Sequence, residues 1–119
     1  MKPTELMIGD WVLLFDKYPA KVEAIGDTDA YLLDDDGVRW NVGYAFIKPI
    51  PLKKETLEKN GTRRDDSERV TTFFFDDGVQ ITHAATKGDE IQILGQSIRN
   101  VHELQHALNF CGVKKEIVL

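Results

Sequence analysis

The chain has 119 residues, 42% of them hydrophobic and 29% charged, which is the size and composition of one ordinary globular domain; a disordered chain would carry fewer apolar residues and a larger charge imbalance. A formal net charge of −5 argues against nonspecific DNA binding, because neutralising a phosphate backbone takes a basic surface. No apolar run approaches the roughly 20 residues of a membrane-spanning helix, no secretion signal opens the chain, and the lone Cys111 cannot form an intrachain disulfide, so a cytoplasmic setting is expected.

The first half reads as short strands spaced as in a small barrel or sandwich. Residues 10–15 form the first. Residues 20–25 set Ala20, Val22 and Ala24 against Lys21 and Glu23, and residues 38–42 set Val38, Trp40 and Val42 against Arg39 and Asn41, the alternation of half-buried strands. Residues 30–33 form another strand, and a short one around Phe46 closes the set. Asp34-Asp35-Asp36-Gly37 reads as a hairpin turn whose Asp-Gly step supplies positive φ angles. As a calcium loop it is incomplete, since Leu32 holds the opening ligand position and Gly43 the place of the closing glutamate.

Pro51 can start a short helix over residues 52–60, with Leu52 and Leu57 inside and Gly61 as a left-handed stop. The charged run Arg63-Arg64-Asp65-Asp66-Ser67-Glu68-Arg69 is expected to be an exposed, mobile loop. Across residues 48–64, Lys48, Lys53, Lys54, Lys59, Arg63 and Arg64 outnumber Glu55 and Glu58; the spacing fits solvated faces, and a nucleic-acid site using Trp11 or Trp40 for stacking is the sharper alternative.

Residues 70–75 and 79–82 form a second hairpin around Asp76-Asp77-Gly78. Phe74 must point away from Phe73 and Phe75, so both faces of that strand need cover from a helix or a partner. Residues 90–94 are a further strand. The C-terminal helix carries the apolar stripe Val101, Leu104, Leu108 and Cys111, with Asn100 as N-cap, Glu103 completing a capping box, and Gly112 closing it so that Val113 folds back on Leu108. Cys111 on that stripe is expected to be a small core residue.

That helix contains His102-Glu103-Leu104-Gln105-His106, the HExxH pattern in which two histidines one turn apart bind zinc and the glutamate activates the metal-bound water. The third ligand is missing: Asn109 stands where the longer metzincin pattern has glycine and Gly112 where it has histidine, leaving Glu116 or His83 as unsupported substitutes. The wheel also sets His102 and His106 opposite the apolar stripe, facing water. No catalytic residue, cofactor site or metal ligand is assigned on this basis, and His102 and His106 stay weak metal candidates.

Glu5-Leu6-Met7-Ile8-Gly9-Asp10-Trp11-Val12, Ile50-Pro51-Leu52, Val101-His102-Glu103-Leu104-Gln105, Cys111-Gly112 and Lys115-Glu116-Ile117 together resemble a family of small uncharacterised proteins of Bacteroidetes-type bacteria, often associated with prophages or mobile elements. The resemblance implies a bacterial, phage-related accessory factor, and an HExxH string that is incidental because glutamine can replace its glutamate.

The expected fold is α+β in a single domain, 1–119. An SH3-like small barrel over 1–51 precedes the short helix at 52–61, and a β-hairpin region with the C-terminal helix packed on the sheet fills 70–119. The expected function is a noncatalytic binding or interaction module with a protein partner, no membrane and no nucleic acid, its oligomeric state open. A zinc-dependent hydrolase using the string from His102 to His106 is the first alternative and a nucleic-acid binder through Lys48 to Arg64 the second.

Overall fold

The structure, a computed structural model, describes residues 1–119. The chain is mixed α+β, with two five-stranded antiparallel sheets and two helices, and it divides into two compact units, Met1–Pro51 with Asn100–His102 and Leu52–Arg99 with Glu103–Leu119. Neither helix is long and apolar enough to cross a membrane.

In the first unit β1 (Trp11–Leu14), β2 (Tyr18–Ile25), β3 (Asp29–Asp34) and β4 (Arg39–Gly43) follow one another as hairpins. A single 3-10 turn (Tyr44–Phe46) then leads into β5 (Ile47–Pro49), which returns to pair with β1 and gives the order β4-β3-β2-β1-β5. Hydrogen bonding does not join β4 to β5, so the sheet is not closed into a barrel. Alternation along the strands puts Val12, Leu14, Ala20, Val22, Ala30, Leu32, Val42 and Ile47 into one apolar core.

Two inward-pointing residues of the predicted alternation lie outside it. The β2–β3 register shifts between Val22 and Ala24, and the irregularity turns Ala24 out to solvent. Val38 belongs to the turn and is exposed, so the inward set of β4 begins at Trp40. That turn also differs in detail from the predicted one. Among its residues only Gly37 has positive φ (79°), and bonds from Gly37 N–H to the Asp34 carbonyl (3.1 Å) and from Asp34 N–H to the Val38 carbonyl (3.0 Å) define a three-residue loop ending in a left-handed glycine.

The second unit contains α1 (Lys54–Asn60) and a meander of β6 (Arg63–Asp66), β7 (Thr71–Phe74), β8 (Gln80–Ala84), β9 (Glu90–Ile93) and β10 (Gln96–Ile98), in the order β10-β9-β8-β7-β6. Residues 63–66 are thus an edge strand where the sequence suggested a mobile loop. All four side chains are exposed, so the apolar alternation that marks a strand is missing, and charges suit an unpaired edge. Gly61 ends α1 without a left-handed φ (−71°). Glycine suits the crowding there: a Cβ would stand 3.2 Å from the Leu57 carbonyl oxygen and 3.4 Å from that of Phe74, a tight fit that the backbone would have to relieve by a few tenths of an ångström.

Helix α2 (Val101–Phe110) starts where predicted and stops at the predicted Gly112, one residue short of carrying Cys111, its first two residues belonging to the first unit and the rest to the second. Gly112 (φ 78°) is left-handed, its N–H bonds the Asn109 carbonyl (3.0 Å), and Val113 N–H bonds that of Leu108 (2.9 Å), a complete Schellman stop with Leu108 and Val113 both buried. Cys111 lies just past the helix end and is half-buried, a boundary position and not the core one expected of it.

Candidate binding surface

The turn joining β1 to β2 is closed by Lys17 N–H on the Leu14 carbonyl (3.0 Å), and its two central residues, Phe15 (φ 53°) and Asp16 (φ 59°), are both left-handed, as in a type I′ turn. Aspartate tolerates this conformation; a bulky aromatic residue there is an outlier costing roughly 1–2 kcal/mol. Phe15 is nonetheless 42% exposed. Its ring meets Trp40 edge-on (centroids 5.8 Å apart, planes at 79°) and Phe46 at a tilt (5.5 Å, 58°). Such contacts return about 0.5–1.5 kcal/mol each, and the Phe15 N–H adds a bond to the Phe46 carbonyl (3.0 Å).

Trp40 is half-buried on β4, and Phe46, at the end of the 3-10 turn, is 54% exposed. Three elements thus present three rings as one partly open aromatic surface on the first unit.

One edge of this surface is acidic. The Trp40 indole N–H donates to Asp34 Oδ2 (2.9 Å), and Asp34 Oδ1 accepts the backbone N–H groups of Asp36 and Val38 (2.9 Å each). The indole bond, with the Val38 bond next in weight, holds the Asp34 carboxyl below the usual carboxylate range, so it stays charged. Asp35 and Asp36 follow, both exposed. Three basic groups of the same unit are engaged by other side chains: Lys48 by Asp16 (2.8 Å), Arg39 by Glu23 (3.4 Å), and Lys17 over the Tyr18 ring (5.2 Å).

The histidines lie elsewhere. His102 is buried, 6% exposed, and His106 is half-buried, which corrects the expectation of a water-facing pair. The wheel assumed one covered side. Here the start of α2 is held within the first unit by Val101 N–H on the Ile50 carbonyl (2.8 Å) and the Pro51–Asn100 bridge, so the turn is covered around His102 as well. His83, buried on β8, bonds Asp89 Oδ1 through Nε2 (3.1 Å) and lines an open cavity of about 320 Å³ with Leu52, Lys53 and Glu55. No three His, Cys, Asp or Glu side chains are placed together to hold a metal ion.

The basic stretch from Lys48 to Arg64 spans the boundary between the units at Pro51 and Leu52. Arg64 bonds Glu58 (2.8 Å) and Asp66 (3.0 Å), and the Arg63 guanidinium lies 4.2 Å from the Phe74 ring centre. Arg63 therefore covers the outer face of β7, while Phe73 and Phe75 are buried on the other; the cover expected from a helix or partner comes from the neighbouring strand. Trp11 is half-buried with Lys21 over its ring (5.0 Å).

Sequence reasoning missed Phe15 and Phe46, reading both as strand residues. The signal available was three aromatic residues each beside a turn, but the positive φ of Phe15 has no signature in a phenylalanine at the end of an apolar run. The chain matches no family model, no curated protein and no solved structure.

Proposed function

We propose that the chain is a noncatalytic binding module that takes a protein partner on the surface formed by Phe15, Trp40 and Phe46. The observation that carries this reading is Phe15, an exposed aromatic ring in a left-handed conformation, because backbone strain combined with exposure concentrates at binding sites. The reading includes an SH3-like winding of the first unit, supported by the four-strand meander, the 3-10 turn and the return of β5 to β1. It also includes a cytoplasmic setting, supported by the single cysteine, and a role as a phage-related accessory factor, supported by the sequence resemblance.

Selection of a random-peptide display library on the purified chain is expected to enrich peptides whose affinity falls about tenfold or more on Phe46→Ala, a change that removes one ring contact worth about 0.5–1.5 kcal/mol and keeps the chain folded. Enriched peptides that bind Phe46→Ala as well as wild type, or a selection that enriches nothing, would overturn the reading.

A further inference from the structure

We infer that the partner of this surface presents a cationic side chain, arginine foremost, on a peptide segment that lies across the three rings and reaches the carboxylates of the β3–β4 turn. The inference rests on the binding-module reading above and adds the chemistry of the ligand.

Aromatic faces carry negative potential and attract cations, and the chain itself uses this contact repeatedly. Lys17 covers Tyr18, Lys21 covers Trp11, Arg63 covers Phe74 and Arg64 approaches Phe73. Phe15, Trp40 and Phe46 form a three-ring cluster over which no lysine or arginine of the chain lies. The surface most suited to a cation is the one the chain leaves uncovered.

Charge points the same way. Up to Pro51 the chain carries nine acidic residues against five lysines and arginines, and three of those five, Lys48, Arg39 and Lys17, are engaged with Asp16, Glu23 and Tyr18. Asp34 is fixed at the indole edge of Trp40 by its bond to Nε1, so a cation over that ring also meets a carboxylate. Asp35 and Asp36 extend the field outward. A guanidinium satisfies both demands, because its flat face stacks on a ring while its N–H fork points at carboxylate oxygens. A phosphate backbone or an acidic peptide would be repelled by the same three aspartates.

The test is calorimetric titration of a peptide enriched on the wild-type chain, alongside its Arg→Gln version and a single-stranded oligothymidylate. The arginine peptide is expected to lose about tenfold in affinity on Arg→Gln. It should lose several-fold on the double substitution Asp35→Asn, Asp36→Asn, an effect that shrinks as salt rises. The oligothymidylate is expected not to displace it. A peptide that depends on Phe46 yet lacks lysine and arginine, or ignores Arg→Gln and the aspartate changes, would overturn the cationic assignment while leaving the surface in place. Displacement by the oligothymidylate would replace a peptide with a nucleic acid. Indifference to Phe46→Ala would remove the surface reading itself.

Discussion

Phe15 and Leu94 are both apolar, exposed and left-handed, but their surroundings differ. Leu94 (φ 52°) and Gly95 (φ 78°) form the two-residue turn between β9 and β10, with Ile93 paired to Gln96. The Leu94 side chain is 74% exposed. A type I′ turn favours asparagine before glycine, so Leu94→Asn removes strain and gives up little packing. The variant is expected to gain about 1 kcal/mol in urea unfolding; a loss of stability would show that the leucine is held by contacts that outweigh its strain. Phe15 is different because two rings and a backbone bond hold it in place. Neither conformation was legible in the sequence, since leucine and phenylalanine give no sign of positive φ, whereas Gly37 and Gly112 announced theirs.

At the scale of elements, what was legible followed strong local chemistry. The two hairpins followed from their Asp-Gly steps, and α2 from an apolar stripe bounded by Asn100 and Gly112. β6 was invisible because four charged residues carry no burial pattern, and β10 because three residues, one of them buried, are too few to show one. Asn60 likewise read only as a helix end. In the structure its buried amide donates to the Thr56 and Val118 carbonyls (2.7 Å each) and accepts Val118 N–H (2.8 Å), tying the C-terminal segment to α1. Asn60→Ala leaves those backbone groups without these bonds and is expected to lower stability by about 2 kcal/mol, with faster amide exchange at Val118. Unchanged stability and exchange would show that buried Ile117 and the bond from Lys59 Nζ to the Leu119 carbonyl (3.0 Å) anchor the segment without Asn60.

Over the whole molecule, net charge pointed away from nucleic acid, but the distribution is the more informative quantity. The acidic excess lies in the first unit, where the uncovered rings are, while Arg63 and Arg64 of the second unit are spent on its own carboxylates and rings. The candidate surface was legible only in part: Trp40 and the aspartate turn were singled out for other roles, and their meeting with Phe15 and Phe46 depends on how the hairpins end. Phe15→Asn tests the central claim most directly, because asparagine accepts the left-handed turn and removes only the ring. Lost ring contacts and relieved strain should nearly cancel, leaving unfolding within about 1 kcal/mol of wild type. Affinity for a peptide selected on the wild-type chain should fall about tenfold or more. A stable Phe15→Asn chain that binds the peptide as tightly as wild type would contradict the account.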